Sequence, residues 1–229
     1  MTLSIDGWFT SFVPSQRHKH QHFGHLVVVD VPCAAPLHKD EAALSAAWGD
    51  KRKTTFAAGR HALRLALARA GVDVDGGIGR DDRGAPLLPP GVRGSLSHKD
   101  VVAAALVSTD IDGTIGIDLE LVEPRSRPGL NRLAAQVLTQ REQQQLPDDD
   151  DGRARACLLR FSLKEALYKA LDPWVRRYVG FLEVEVDVDG ADAVFAVPGF
   201  EATGAVVDVG RPGVIVTVAR CRPLQGSRG

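Results

Sequence analysis

A chain of 229 residues, 44% of them hydrophobic and 25% charged, can build one large domain or two of about 100 residues each, and is excluded from wholesale disorder. Twenty-eight Lys and Arg against 29 Asp and Glu leave a formal net charge of -1, which excludes a global field that would gather nucleic acid or an anionic membrane. Cys33, Cys157 and Cys221 have no paired spacing and suggest reduced thiols in the cytoplasm; with no basic-then-apolar leader and no run of roughly 18 apolar residues, neither export nor membrane insertion is expected.

In chain order, "HLVVVDV", ending at Val31, is short, β-branched and followed by Pro32, as a buried strand would be. A helix is expected from Lys39 to Trp48. Next, "KRKTTFAAGRHALRLALARAG" sets Phe56, Leu63, Leu67 and Ala70 at helical spacing and closes on Gly71, a good C-terminal stop. Its opposite face carries Arg60 and Arg64 one turn apart, behind Lys51, Arg52 and Lys53; spacing alone reads it as a solvated face. "GRDDRGAPLLPPGVRGSLSHKD", with four Gly and three Pro, reads as a long loop of the kind that often carries function. "VVAAALVS" and "TIGIDLEL" are then two strands joined by a turn at Asp110 to Gly113, the first apolar enough to be central.

Beyond "EPRSRPG", helical signals run through "LNRLAAQVL" and "TQREQQQL", with Thr139 as N-cap and Glu142 completing a capping box. "PDDDDG" is a solvated acidic turn. A strong helix, "RARACLLRFSLKEALYKALDPW", has Leu159, Leu163, Ala166, Leu167 and Ala170 as its core stripe and is expected to end at Pro173. "FLEVEVDV", "AVFAVPGF" and "GVIVTVARC" close the chain as strands, with "VDVDGAD" a hairpin turn. The two core helices superpose so that Ala62, Leu63, Ala66 and Leu67 match Ala166, Leu167, Ala170 and Leu171. That suggests an internal duplication, with an N-terminal subdomain over residues 1–112 and a C-terminal one over 113–229.

Within Thr114 to Leu121, a strand aims Thr114, Gly116, Asp118 and Glu120 to one side and Ile115, Ile117, Leu119 and Leu121 to the other. Asp118 and Glu120 are then about 7 Å apart, close enough to share one ion, although a polar outer face of an antiparallel sheet looks the same. In "FSLKEALYKAL", Ser162, Glu165 and Lys169 share one helix stripe, which by itself is a routine i,i+4 pair. Three carboxylates brought together would raise one another's pKa values unless a hard divalent cation relieved them. Mg2+ takes few carboxylates and completes its shell with water and phosphate oxygens, so Asp, Glu and Glu together suggest phosphate chemistry; no Cys or His pair supports Zn2+. On residues alone, another Mg2+ enzyme such as a phosphohydrolase or nuclease, or a binding module without turnover, remains open. No G-x-S-x-G elbow and no Walker glycine loop is present.

"IGIDLE" and "KEALYK", with "KRKTTFAAGRHAL", "RGAPLLPPGVRGSLSH" and "YVGF" in order, resemble the 4'-phosphopantetheinyl transferases of the Sfp and EntD type from about Lys51 to Phe181. The resemblance implies an α+β fold of two similar α/β subdomains related by a pseudo-twofold, with coenzyme A in the cleft between them, and a monomer. The implied reaction moves the phosphopantetheine arm of coenzyme A to a serine of an acyl or peptidyl carrier protein and releases adenosine 3',5'-bisphosphate. Fatty acid, polyketide, nonribosomal peptide and siderophore pathways all supply such serines.

The same resemblance makes Asp118, Glu120 and Glu165 the Mg2+ ligands. It makes Glu165, directly or through a metal-bound water, the base for the carrier serine, and Lys169 a ligand of the pyrophosphate. Arg52, Arg60, Arg83 and His98 match positions that hold the 3'-phosphate and its surroundings, and Ser97 adds a hydroxyl. Lys164 points about 100° away from Glu165 and is given a lesser, structural role. Where EntD-like chains often have an aromatic before the proline of "GxPxWP", this one has Leu88. His18, His20, His22 and His25 read as a solvated tract rather than a metal site, and Arg125, Arg127, Arg132, Arg176 and Arg177 are candidate contacts for an acidic carrier.

Overall fold

The computed structural model describes residues 23–122 and 130–224. The chain divides into two compact units between Ile111 and Asp112. His18, His20, His22, Arg125 and Arg127 lie outside the described residues.

The first unit contains β1 (His25–Asp30), α1 (Lys39–Ser45), α2 (Asp50–Arg69), β2 (Arg93–Lys99) and β3 (Val102–Ser108). The strands form an antiparallel sheet in the order β1-β3-β2. Every residue of β3 is buried, as its apolar run requires of a central strand. Small side chains on both partners, Ala58, Ala62 and Ala66 on α2 and Ala103 and Ala105 on β3, let helix and sheet approach closely, with Leu63, Leu67, Val27, Val29 and Val107 filling the layer.

The segment expected to be one loop contains β2. Its glycines and serines obscure the strand signal, yet Gly94 belongs in the sheet: a Cβ there would meet Leu88 Cδ1 at 2.5 Å and the Leu106 carbonyl at 3.6 Å. Leu88 therefore packs into the core under α2.

The second unit has β4 (Thr114–Leu121), α3 (Leu130–Val137), α4 (Gln140–Gln144), α5 (Asp150–Val175), a 3-10 turn at Phe181–Glu183, and strands β5 (Glu185–Asp189), β6 (Asp192–Val197), β7 (Phe200–Val207) and β8 (Val214–Pro223). Its antiparallel sheet runs β4-β8-β7-β6-β5. The strands β3 and β4, adjacent in sequence, thus fall in separate sheets. β7 was not expected, because Glu201, Ala202 and Gly204 are poor strand formers. The strand is fixed by its neighbours: a Cβ on Gly204 would meet Val218 O at 2.7 Å and the Phe195 ring at 2.8 Å.

Ala166, Leu167, Ala170 and Leu171 of α5 are at most 1% exposed, as are Ala62, Leu63, Ala66 and Leu67 of α2, so the two matching stripes do the same work in their respective units. The helix α5 starts at Asp149, whose Oδ1 accepts from Gly152 N at 2.7 Å, and it runs through Pro173 to Val175 before Arg176 turns left-handed at φ 45°. Proline removes one helical hydrogen bond, a loss tolerated in the last turn, so the expected stop comes two residues late.

The capping box at Thr139 forms as its residues dictate, Glu142 N donating to Thr139 Oγ1 and Thr139 N to Glu142 Oε2. Glu142 does more. Fully buried, it also accepts from Val186 N at 2.8 Å and from Lys164 Nζ at 2.7 Å. Lys164 is equally buried and donates to the carbonyls of Val137 and Phe181, both at 2.9 Å. Burial pulls its pKa down and the Glu142 contact works against that pull. The structural role expected of Lys164 is therefore that of a brace between α5, the end of α3 and the 3-10 turn.

Candidate active site

The even-numbered face of β4 lies under α5, which answers why Gly116 interrupts it. A Cβ on Gly116 would stand 1.9 Å from the Ala166 carbonyl oxygen and 2.9 Å from Ala170 N, so only hydrogen fits where the helix crosses. Thr114 Oγ1 donates to the Ala170 carbonyl and accepts from Trp174 Nε1 at 2.7 Å. The face is thus neither a solvated outer surface nor open space beside Asp118: the room is taken by helix backbone.

Asp118 and Glu120 are each 5% exposed. Ser162 Oγ donates to Asp118 Oδ2 at 3.0 Å, and Lys169 Nζ donates to Asp118 Oδ1 at 2.9 Å and to the Ile117 carbonyl at 2.7 Å. Ser162 lies 2.9 Å from Thr217 Oγ1 on β8, which buttresses it. Ser162, Glu165 and Lys169 occupy one helical stripe, and the residues on either side of Glu165 both touch Asp118. Glu165, half-buried, lies between them on the same helical stripe. Beside it, burial and then the charge of Glu165 push the Tyr168 phenol well above its usual range.

Asp118 and Glu120 put two buried carboxylates, the donor type that hard divalent cations take, on one strand face. Among the described residues no group of three or more His, Cys, Asp or Glu is already gathered tightly enough to hold one. The ammonium of Lys169 supplies the positive charge beside Asp118.

In the first unit, Arg52, Arg60 and His98 are drawn toward one stretch of α2. Trp48, Arg52, Phe56 and Arg60 recur every four residues and stack. The Arg52 guanidinium lies 4.1 Å from the Trp48 ring centroid, Phe56 meets Trp48 edge-on at 5.1 Å, and the Arg60 guanidinium lies 4.6 Å over Phe56. His98 reaches the same region: its Cδ2 is 4.0 Å from where a Cβ of Gly59 would be.

The expectation of a solvated face at Arg60 and Arg64 fails, because Arg60 is 3% exposed. Its Nη2 donates to Gly79 O at 3.1 Å, while Nε finds no acceptor within hydrogen-bond reach. Burial lowers its pKa, opposed by Glu41, whose Oε1 lies 4.0 Å away. Arg64 donates to Glu41 Oε1 at 2.7 Å. Glu41, fully buried and unremarked in the sequence, also accepts from Ile78 N and His38 N.

Ser97 is buried, and strand alternation aims it to the face of β2 opposite His98 and Leu96, the latter in the α2 core. Arg83 is exposed in the turn where its N–H donates to Asp81 Oδ1. Neither joins the stacked group.

Residues 40–108 match the family described as the 4'-phosphopantetheinyl transferase N-terminal domain, and residues 114–206 match the 4'-phosphopantetheinyl transferase superfamily. The chain is 36% identical over 166 residues to 4'-phosphopantetheinyl transferase Npt of Nocardia iowensis, spanning 72% of each chain. The chain belongs to the 4'-phosphopantetheinyl transferase superfamily. It is also 31% identical over 158 residues to 4'-phosphopantetheinyl transferase PptT of Mycobacterium tuberculosis, covering 69% of this chain and 67% of that one. To enterobactin synthase component D of Salmonella typhi it is 37% identical over 122 residues, covering 53% of this chain and about half, 49%, of the relative.

Within this transferase scaffold, two further features beside Glu41 lie outside the sequence reading: Trp48, whose four-residue interval to Arg52 is visible, and Arg80, whose guanidinium lies 5.0 Å from the Trp48 centroid. The spacing of Trp48 signals the first, and nothing in the sequence signals Arg80.

Proposed function

We propose that the chain transfers the 4'-phosphopantetheine arm of coenzyme A to a serine of an apo acyl or peptidyl carrier protein, with Mg2+, as a cytoplasmic monomer. The observation that carries the reading is the buried Asp118 carboxylate met from α5 by Ser162 and Lys169, with Glu165 on the same stripe. Asp118, Glu120 and Glu165 would hold the metal, whose charge offsets that building on the diphosphate and on the leaving nucleotide.

Lys169, half-exposed, is near enough to Asp118 to bind a diphosphate oxygen from the same place. Glu165 takes the serine proton; the serine Oγ bonds to the phosphorus that carries pantetheine, and the bond from that phosphorus to the bridging oxygen breaks, releasing adenosine 3',5'-bisphosphate. Arg52, Arg60, Arg83 and His98 bind the nucleotide phosphates, and planar guanidinium forks suit them. Ser97 adds a contact by its backbone, since its side chain is turned away from His98. Arg132, Arg176 and Arg177 are candidate carrier contacts, and Arg177 also pairs with Glu183 at 2.9 Å. No described helix is long and apolar enough to cross a membrane, and the three cysteines are free, which supports the cytoplasmic reading.

The test is mass spectrometry of a panel of apo acyl and peptidyl carriers after incubation with protein, Mg2+ and coenzyme A. Gain of the phosphopantetheine mass on the carrier serine is expected. No gain on any carrier overturns the proposal, and nucleotide release without a carrier would favour a phosphohydrolase.

A further inference from the structure

Ser45, Thr54 and Thr55 each donate a hydroxyl hydrogen back to a carbonyl of their own helix, as serine and threonine inside helices commonly do. Ser162, in the middle of α5, reaches off its helix instead. Its Oγ donates to Asp118 Oδ2 at 3.0 Å and lies 2.9 Å from Thr217 Oγ1. Thr217 is the residue of β8 directly across from Asp118 on β4. Ser162 and Thr217 are both completely buried, and among the described residues neither hydroxyl has a further partner.

The direction of the hydrogens follows. A carboxylate paired with the Lys169 ammonium is ionised and only accepts, so the single hydrogen of Ser162 goes to Asp118 Oδ2. The hydrogen between the two hydroxyls then comes from Thr217. The chain runs one way, from Thr217 to Ser162 to Asp118, linking β8, α5 and β4, and each bond polarises the next.

The two oxygens of Asp118 are thereby made unequal. Oδ2 is held by uncharged hydroxyls buried within the packed layers, whereas Oδ1 meets Lys169, whose side chain is 31% exposed. A buried hydroxyl pair stays where the sheet and helix place it. An ammonium on a flexible four-carbon stem with access to solvent can leave.

We infer that Thr217 and Ser162 are positioning residues that fix Asp118 by Oδ2 and reserve Oδ1 for a cation, the Lys169 ammonium in this structure and a divalent ion when one is bound. This rests on the metal role given to Asp118 above and deepens it. Hydrogen bonds made to a metal-binding side chain from outside the metal's own shell typically set affinity by about 10- to 100-fold. The hydroxyls themselves touch neither ion nor substrate.

The test measures Mn2+ binding by the full chain without substrates, from the free-ion signal in electron paramagnetic resonance, beside the Mg2+ concentration that half-saturates carrier modification. It compares wild type with Ser162→Ala, Thr217→Val, Thr217→Ser and the double variant Ser162→Ala/Thr217→Val, each also followed by urea unfolding. Ser162→Ala should weaken Mn2+ about tenfold and Thr217→Val about threefold. Thr217→Val keeps the shape of threonine, so it reads the hydroxyl even where Ser162→Ala loosens the helix contact. Thr217→Ser keeps the hydroxyl and should stay within about twofold of wild type. In the double variant the Thr217 change should add less than about 1.5-fold to the effect of Ser162→Ala, because Thr217 acts only through Ser162. Half-saturating Mg2+ should move by the same factors, with the KM for coenzyme A at saturating Mg2+ held within about twofold.

Multiplying effects of the two changes, a loss in Thr217→Ser as large as in Thr217→Val, lowered stability with unaltered Mn2+ binding, or a wild type that binds no Mn2+ would overturn the proposal. The expected Mn2+ shifts in a protein that modifies no carrier would uphold the positioning chain and sink the transferase reading. Carrier modification with the same Mg2+ requirement in every variant would sink the chain alone.

Discussion

Replacing Gly116 by alanine adds one methyl group at the crossing of β4 and α5. The new Cβ would sit 1.9 Å from the Ala166 carbonyl oxygen, whereas ordinary contact begins at 3.4 Å. Both obstacles are backbone, so no rotamer change relieves them, and strand and helix must part by about 1.5 Å. Adding that gap to the 2.9 Å between Lys169 Nζ and Asp118 Oδ1 takes the pair beyond hydrogen-bond range, and the Ser162 contact goes with it.

Overpacking of this kind costs about 1–3 kcal/mol, and the two lost hydrogen bonds, one buried and one partly exposed, add about 1 kcal/mol each. A loss of about 3 kcal/mol or more is therefore expected, a drop in Tm of roughly 6–12 °C for a chain of this size. Urea unfolding followed by circular dichroism measures it. Gly76→Ala is the control, since nothing lies within 4 Å of its Cβ position and that substitution should be neutral or slightly stabilising. Carrier modification should fall much further than stability predicts, because the carboxylates no longer face the α5 stripe. If Gly116→Ala unfolds within about 0.5 kcal/mol of wild type, the close crossing of β4 and α5 is not what positions Asp118.

Glu165→Gln keeps the shape of the side chain and removes its charge, so single-turnover transfer should drop by about 10²- to 10⁴-fold with the circular dichroism spectrum unchanged; a rate within threefold of wild type would remove Glu165 as the base. Lys164→Met strands the buried Glu142 carboxylate and two carbonyls, and urea unfolding should report a loss of about 3–5 kcal/mol; a loss under 1 kcal/mol would show that the brace carries little. Burial pushes the Cys221 thiol up to about 12 and raises that of Cys157, so a thiol reagent at pH 8 should label Cys33 first and the other two only on unfolding. The sign for stability follows: an unfolded Cys221 sheds its proton from about 9 upward while the folded one keeps it, so the unfolding midpoint should fall as pH rises through that window, and less in Cys221→Ala.

Periodicity revealed what alternates and hid what covers it. The two-residue period of "TIGIDLEL" identifies β4 and puts Asp118 and Glu120 on one face, but a period carries no information about the element packed on that face, so burial under α5 is a property of the tertiary packing alone. The i,i+4 stripe of Ser162, Glu165 and Lys169 was readable for the same reason. The strands β2 and β7 were missed because glycine, serine and alanine carry weak strand propensity; in both, tight packing against Leu88, Val218 and Phe195 decides instead. Arg60 was misjudged as solvated because a charged residue on a helix is usually exposed, and its counter-charge, Glu41, is nineteen positions earlier on another helix. Arg80 belongs to a segment with no period at all.

Glu41 gathers His38 N, Ile78 N and Arg64 onto one carboxylate that no solvent reaches. Ile78 is two residues before Arg80, and Arg64 is one helical turn past Arg60. A substitution at this acid would therefore loosen the mounting of Arg60 and of Arg80 together and be recorded in an assay as poor affinity for nucleotide, by a side chain that never meets one.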